Sequence, residues 1–413
     1  MGLELRLAWR NVWRNPRRTA LTIAATVFAV YLVVFFVGMA AGIHEKMIED
    51  SVRIHSGHVT ISGEGYLEER TLEHFVSLGP EVREALDGTP GLRGWAPRLV
   101  SFALLSKAVA SQGVVIFGVD PEREVQVSTL PERVRTGRFL VSGGSREIVL
   151  GERLAHSLDA EIGDEVLVYG VAYSLEAAYE LFRVVGLLKL PEPNLERSLA
   201  LISLRDAQAF FVYGDRVSEI AVLAADAEQS DSLRARLSET LSNLASEPLE
   251  LHTWNEVMPQ LEQLIFLDDA GMYIMLAILV VVVGFGILNT ILMSVLERMR
   301  EIGVMLAVGL RPGGIFRMIY LESMLLACIG LAIGLAAAIP SVLWVEANPI
   351  PITGEELRGA SEYFGMEPVI TCKLKPKNPL GSTLTILVVA AMAALYPALK
   401  ASRARPAEVL RSL

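Results

Sequence analysis

The residues best placed for recognition chemistry lie in one short segment, Glu297–Leu310, between two long apolar stretches. Written as a helix, the segment places five residues on one face: Met299, Ile302, Gly303, Leu306 and Leu310. Arg298, Arg300 and Glu301 flank that face, and the missing side chain at Gly303 lets another surface approach closely. Such a helix is suited to seat in a cleft of another protein. The alternative is an inert helix that lies on lipid.

No residue set in the chain indicates catalysis or nucleotide binding. The sequence lacks G-x-x-x-x-G-K-[ST], so it has no P-loop of its own. No carboxylate pair, Ser/His/Asp set or metal-ligand spacing rises above chance, and two cysteines exclude a disulfide scaffold. We therefore predict a protein that is not an enzyme, binds no cofactor directly, and draws energy from elsewhere or acts passively.

Four long stretches without Asp, Glu, Lys or Arg surround this segment: Ala20–Ala41, Ala270–Leu296, Ser323–Val345 and Asn378–Leu399. A hydrocarbon core of ~30 Å needs about 20 helical residues, and continuous apolar runs differ from the alternating strands of a membrane barrel. The first run is long for a signal peptide and three more follow, so we interpret it as a retained span. The sequence predicts four transmembrane helices.

The positions of Lys and Arg predict which segments are cytoplasmic. Basic residues lie before the first run, between the second and third, and after the fourth: Arg6, Arg10, Arg14, Arg17, Arg18; Arg298, Arg300, Arg311, Arg317; Lys400, Arg403, Arg405, Arg411. Both termini are therefore predicted inside, and residues 43–269 and 346–377 outside, of a cytoplasmic membrane. Residues 3–15 form an amphipathic pattern, with Trp9 and Trp13 opposite the arginines, typical of a helix in the membrane interface. Two interpretations of this helix stay open, a topology anchor and a lever near a partner.

The predicted fold is an α-helical membrane protein with four transmembrane helices and a large α+β extracytoplasmic domain inserted between the first and second. The predicted parts are 1–42 with the interfacial helix and first span, 43–269, and 270–413, which includes a cytoplasmic helix 297–310 and an outer loop 346–377. Within 43–269, Leu99–Leu105 and Val114–Val119 are predicted strands broken at Gln112-Gly113, and Leu190–Glu196 is a predicted loop. The other predicted strands and helices are His58–Ser62, Glu147–Leu150, Gly151–Leu158, Glu165–Tyr169, Phe182–Leu188, Leu199–Ser203, Leu204–Phe211, Glu219–Leu223, Ser230–Ala245 and Trp254–Leu267. The net charge of −10 speaks against a nucleic-acid partner.

Several motifs in the same order resemble those of the FtsX/MacB/Lol permeases of ABC transporters, the type VII architecture. The first is an N-T…E-R-x-x-E-I-G…A-x-G pattern, met by Asn289, Thr290, Glu297, Arg298, Glu301, Ile302, Gly303, Ala307 and Gly309. The second is an ending Y-P-A-x-x-A-S-R-x-x-P-x-x-V-L, met by Tyr396–Arg403, Pro406, Val409 and Leu410. The third is E-I-V-L-G-x-x-L-A…L…G-D, met by Glu147–Gly151, Leu154, Ala155, Leu158, Gly163 and Asp164. The resemblance covers essentially the whole chain.

The resemblance implies a dimer of permeases, homo- or heteromeric, with separate ATPase subunits that hold ATP and Mg. It also implies that one segment couples the permease to the ATPase, through Glu297, Arg298, Met299, Arg300, Glu301, Ile302, Gly303, Leu306, Ala307 and Gly309. A large insert on a separate permease is most similar to the lipoprotein-releasing Lol branch, which implies extrusion of an amphiphilic cargo from the outer leaflet. Two alternatives are a permease that activates an extracytoplasmic partner such as a cell-wall hydrolase, and a drug or peptide exporter.

Two G-x-x-x-G pairs predict close helix contacts: Gly38 with Gly42 in the first span, and Gly330 with Gly334 in the third. Two partners stay open for these glycines: a helix of a second permease, and another helix of the same chain.

Overall fold

The protein, in a computed structural model, is described over residues 16–225, 229–241, 244, 247–354, 369–375 and 377–404. The predicted interfacial helix 3–15, residues 355–368 and 376 of the predicted outer loop 346–377, and the motif residues Pro406, Val409 and Leu410 lie outside these residues. The described chain divides into two compact units. The helical unit holds the residues up to Glu45, Ile265–Pro351 and those from Val369 onward, and the sheet unit holds Lys46–Leu264 with a short piece from Ile352.

The helices are numbered along the chain as α1 (Pro16–Ile54), α2 (Pro80–Asp87), α3 (Pro121–Val127), α4 (Glu152–Ser157), α5 (Pro193–Ser198), α6 (Leu204–Phe210), α7 (Ser230–Leu241), α8 (Trp254–Val257), α9 (Pro259–Glu297), α10 (Met299–Ala307), α11 (Pro312–Ala347) and α12 (Lys377–Ser402). The strands are β1 (Val59–Gly63), β2 (Val76–Ser77), β3 (Leu92–Lys107), β4 (Ala110–Val119), β5 (Val134–Gly137), β6 (Glu147–Gly151), β7 (Glu165–Val171), β8 (Ala177–Leu188), β9 (Leu199–Ser203), β10 (Arg216–Val217), β11 (Glu219–Ala224), β12 (Leu249–Thr253), β13 (Ile350–Pro351) and β14 (Val369–Ile370).

The helical unit contains four helices that are long and apolar enough to cross a membrane, α1, α9, α11 and α12. The prediction of four apolar helices is confirmed. These helices differ in how much of their apolar surface the chain covers, because 33%, 39% and 33% of the most apolar window is buried in α1, α11 and α12, but only 11% in α9. Helix α9 therefore presents most of its surface to lipid or to another molecule.

The sheet unit is a mixed α/β domain, as predicted. Its ten-stranded sheet runs in the order β12-β1-β11-β3-β4-β9-β6-β8-β5, and β7 pairs with both β3 and β8. Those pairings close six strands, β3-β4-β9-β6-β8-β7, into a ring. The ring is possible because β3 and β8 are long enough to pair with different neighbours along their lengths. Apolar side chains fill it, including Leu105, Ile116, Phe182 and Ile202.

Three local predictions are wrong. Strands β3 and β4 form one continuous hairpin that includes the predicted break, and its turn lies at Ala108 and Val109, where Ala108 takes a positive φ of 51°. The predicted loop Leu190–Glu196 contains the start of α5, because Pro193 stands at the first helical position where its missing N–H costs nothing. The predicted helix Trp254–Leu267 is interrupted at Met258, since Pro259 lacks the N–H that would continue α8.

Candidate coupling site

The short helix α10 is set off from α9 and α11 by a distinct break at each end. Arg298 leaves helical geometry between α9 and α10, with φ −103° and ψ 11°. At the other end Gly309 takes φ +104°. The Gly309 N–H then donates to the Leu306 carbonyl and the Leu310 N–H to the Met305 carbonyl, which is the Schellman arrangement that ends helices. The family pattern has a glycine at position 309 because the backbone there takes a positive φ, which residues other than glycine rarely adopt.

The face of α10 on which Ile302 and Gly303 lie points into the helical unit. Both residues are buried, and Ile302 packs in a cluster with residues of α9, α11 and α12. Met299 and Leu306 contact the same cluster, whereas Leu310 is exposed. The apolar face predicted to seat in a partner's cleft is therefore the face that holds α10 against its own chain.

The opposite face of α10 is open and partly apolar. Val304 is 48% exposed and Val308 84% exposed. Arg300 and Ala307 are exposed as well, and so is Glu297 at the end of α9. Two exposed valines next to an arginine form the surface that another protein could contact, and periodicity alone did not single them out because Val304 and Val308 fall outside the predicted stripe.

Arg298 points toward α11 instead of outward. Its Nη1 donates to both carboxylate oxygens of Glu322 at 3.0 and 3.1 Å, and its Nε lies 3.5 Å from a carboxylate oxygen of Glu301. Glu322 is buried. A cavity of about 20 Å³, roughly the space of one water molecule, adjoins this pair and has hydroxyl groups from three helices in its lining: Thr22, Thr290, Ser294 and Ser323.

The glycines of the third span lie against α1 of the same chain. A Cβ at Gly330 would meet the Thr26 Cβ at 2.6 Å, and a Cβ at Gly334 would meet the Val30 Cβ at 2.6 Å. Contacts this short show that α1 and α11 approach as closely as they do because both positions are glycine.

The glycines of the first span lie against a piece of extended chain at Gly42, and against both that chain and Val342 of α11 at Gly38. A Cβ at Gly42 would lie 2.5 Å from the Cys372 backbone, and the Lys373 N–H donates to the Gly38 carbonyl at 2.8 Å. The Lys373 ammonium then lies 2.9 Å from Glu45 and 3.6 Å from Glu346. The segment that ends the predicted outer loop 346–377 is thereby fixed across α1 and bonded to α11.

The sheet unit presents an apolar outer face that the sequence analysis did not recognise. Leu104, Tyr169 and Tyr179 stand opposite one another on β3, β7 and β8, and all three are exposed. Leu167 and Leu181 form the adjacent row and are also exposed. The alternation along β7 and β8 is typical of strands with one buried face and one outward face. The outward residues named here are apolar, whereas a face in contact with water is usually polar.

The sheet unit also buries an ionic cluster at the end of α1. Arg98 donates to Glu124 at 2.6 Å and to the carbonyl of His55, just after α1, and both side chains are fully buried. Glu219 lies on the neighbouring strand, and burial raises its pKa. Among the residues that the structure describes, no group of three or more His, Cys, Asp or Glu could hold a metal ion.

Comparison with known proteins gives matches over nearly the whole chain. Residues 19–240 match the MacB-like periplasmic core domain, and residues 273–406 match the FtsX-like permease C-terminal region. The chain is 24% identical to the "Lipoprotein-releasing system transmembrane protein LolC" of Xylella fastidiosa, over 89% of this chain and 87% of that one. It is 25% identical to the LolE protein of Haemophilus influenzae, over 86% and 85%.

Other similar proteins cover less of the chain. The "Macrolide export ATP-binding/permease protein MacB" of Nitrobacter winogradskyi is 28% identical over 65% of this chain and 39% of its own. Among solved structures, the periplasmic region of MacB from Actinobacillus actinomycetemcomitans matches 49% of this chain and 92% of its own, with 18% identity and a TM-score of 0.36.

Proposed function

Because the chain belongs to the family of permeases with a MacB-like periplasmic core domain and an FtsX-like C-terminal region, we propose that it works with a separate ATPase to release a lipid-modified protein from the outer leaflet. It is a multi-pass membrane ABC transporter permease of the Lol/MacB/FtsX type. In the proposal, the ATPase holds ATP and Mg, both chain termini face the cytoplasm, and a second permease, identical or paralogous, completes the transporter.

The observation that carries the proposal is the open face of α10. A nine-residue helix held between two membrane helices, with Val304 and Val308 exposed beside Arg300, offers a compact apolar contact with a charged rim. Exposed apolar surface of this kind marks a site of protein contact. The coupling role predicted for Glu297–Gly309 thus stays a proposal, with the contact moved from the Ile302 side to the Val304 side.

The choice of cargo rests on two observations. The outer face of β3, β7 and β8 exposes tyrosine and leucine side chains in adjacent rows, as a surface that meets apolar groups does. The relatives that align with most of the chain are named lipoprotein-releasing proteins. A lipid-anchored protein combines an apolar anchor with a folded body, and it fits a permease whose spans leave α9 largely uncovered.

The activation of an extracytoplasmic partner such as a hydrolase is the second candidate function. The same apolar outer face favours it, because a sheet surface can bind a protein as well as an acyl chain. Export of a drug or peptide has the support of the MacB relative, which aligns with a smaller part of this chain.

The test introduces a charge into the open face of α10. The variants Val304→Asp and Val308→Asp should reach normal membrane levels and lose copurification of the ATPase in mild detergent. The matched control is Val109→Asp, since Val109 is fully exposed in the turn between β3 and β4 of the sheet unit. Retained ATPase binding in both α10 variants would contradict the proposed contact.

A second measurement separates the candidate functions. Proteoliposomes that hold the permease and ATPase should release an acylated protein into solution when ATP is added, and the same protein without its acyl chains should not require ATP. If ATP hydrolysis is stimulated and acylated protein stays bound, while a cell-wall hydrolase becomes active, the activation function replaces release.

A further inference from the structure

We infer that Arg298, Glu301 and Glu322 form a latch that passes movement of α10 to the membrane helix α11. This inference rests on the proposed function, since it assigns a positioning role within the same coupling step. The latch residues would not touch the ATPase or the cargo. They would fix the position of α10 relative to α11 and determine whether displacement of one moves the other.

The geometry places Arg298 where such a role is needed. It is the single residue between the end of α9 and the start of α10, and its non-helical backbone separates the two helices. Its side chain reaches Glu322 on α11 through Nη1 and Glu301 on α10 through Nε. Arg298 therefore links three helices. Its backbone connects α9 to α10, and its side chain pairs with Glu322 of α11.

The free-energy cost of burying the Arg298–Glu322 ion pair indicates that the pair has a use beyond stability. Removing two charges from water costs several kcal/mol each, and a buried ion pair is often no more stabilising than apolar residues of similar volume. Ionisable residues in membrane helices are rare and mark functional positions. Glu322 is buried just ahead of the uncharged stretch of α11, beside apolar residues that include Ile302 of α10 and Ile319 of α11.

The surroundings of the latch leave room for rearrangement. The adjoining cavity of about 20 Å³ has hydroxyls from α1, α9 and α11 around it. Arg298 already lies between two carboxylates, at 3.0 Å from Glu322 and 3.5 Å from Glu301. A shift of α10 can therefore move the guanidinium from Glu322 toward Glu301, while the cavity leaves space for a water molecule beside the buried Glu322 carboxylate.

The test replaces the charged pair by apolar residues of similar size. Arg298→Met/Glu322→Leu should insert normally and still copurify with the ATPase, because the open face of α10 is unchanged. ATP hydrolysis stimulated by the permease, and ATP-driven release of the acylated protein, should both fall about tenfold, within the usual range for coupling between two sites. Arg298→Lys should give a smaller fall in both, since an ammonium cannot bridge two carboxylates as a guanidinium does.

The control is Arg317→Lys, which makes the same conservative change at an exposed arginine of α11 and should leave all three readouts unchanged. Wild-type stimulation and release in the apolar double variant would overturn the latch. If that variant does not accumulate, full coupling in Arg298→Lys at normal membrane level would overturn it equally. Failure of the proposed function looks different, because the ATPase would then not copurify with the unmodified chain.

Discussion

In the sheet unit Arg98 and Glu124 are fully buried, whereas in the helical unit Arg298 keeps part of its side chain exposed beside a small polar cavity. The guanidinium of Arg98 is fixed by Glu124 and by the carbonyl of His55 at the end of α1. Burial works against its charge, but Glu124 outweighs burial and raises the pKa of Arg98. The pair in the sheet unit is fully buried, whereas the pair in the helical unit adjoins a cavity and has the more exposed carboxylate of Glu301 within 3.5 Å of the guanidinium.

This difference indicates different uses for the same chemistry. A fully buried pair fixes one structure, and the loss of one partner leaves an uncompensated charge. A pair that is partly exposed and adjoins space for a water molecule can change partners at smaller cost. We therefore interpret the sheet-unit pair as an anchor that holds the end of α1 to the sheet, and the helical-unit pair as a joint.

The first prediction breaks the anchor and has the largest expected effect. Arg98→Met leaves Glu124 buried without its partner and should lower the stability of the sheet unit by about 3–5 kcal/mol. The measurement is the thermal unfolding of the full chain in detergent, followed by circular dichroism of the sheet. The same change at Arg298 should lower the unfolding temperature less, because Arg298 is partly exposed and water can reach the cavity beside Glu322.

The double variant Arg98→Met/Glu124→Leu is the control for the anchor. It removes both charges and should recover most of the lost stability. Equal unfolding temperatures for the single and double variants would show that the pair is not what the single variant disrupts. Equal losses for Arg98→Met and Arg298→Met would remove the contrast between the two units.

The second prediction concerns the close contact between α1 and α11 at Gly330 in the helical unit. Gly330→Val adds a side chain where even a Cβ would lie 2.6 Å from Thr26, so α1 and α11 must separate. Overpacking of this kind costs about 1–3 kcal/mol and should lower the membrane level and the unfolding temperature. Gly286→Val on α9 is the matched control, since no heavy atom lies within 4 Å of a Cβ there. Similar effects at both positions would argue against a close α1–α11 contact.

The sequence predicts features that depend on local composition and misses those that depend on distant partners. The four membrane helices are visible because a span needs a long uncharged run, and Leu199–Ser203 is a strand with the predicted bounds. The pairing of β3 with β7 joins residues far apart in the chain, so no local pattern reveals the closed ring. The motif around Arg298 indicated a functional segment, but a nine-residue helix shows two faces and its sequence does not state which one the chain covers.

The candidate glycines illustrate the same limit. The spacing of Gly330 and Gly334 indicates a close contact, and the partner, α1, is known only from the fold. The pair Gly38 and Gly42 has the same spacing, but Gly42 lies against an extended segment at Cys372 and Gly38 lies closest to Val342 of α11. Identical motifs thus receive different partners because the surrounding chain, and not the motif, determines what comes close.

The last prediction has the smallest expected effect. It concerns Glu219, the carboxyl group beside the Arg98–Glu124 pair, and the pH dependence of the stability of the sheet unit. Burial raises the pKa of Glu219, an effect that Arg98 and Arg70 oppose and Glu124 reinforces. An acid whose folded pKa is raised contributes stability that is fully present below the unfolded pKa of about 4.3 and is lost as pH rises through the folded pKa. The unmodified chain should therefore lose some stability of the sheet unit as pH rises above that range. Glu219→Gln stays neutral and should flatten this dependence and raise the unfolding temperature at neutral pH. Exposed Glu84→Gln should follow the unmodified profile. A Glu219→Gln profile that also follows it would show that the pKa of Glu219 is the same in the folded and unfolded chain, which contradicts the prediction.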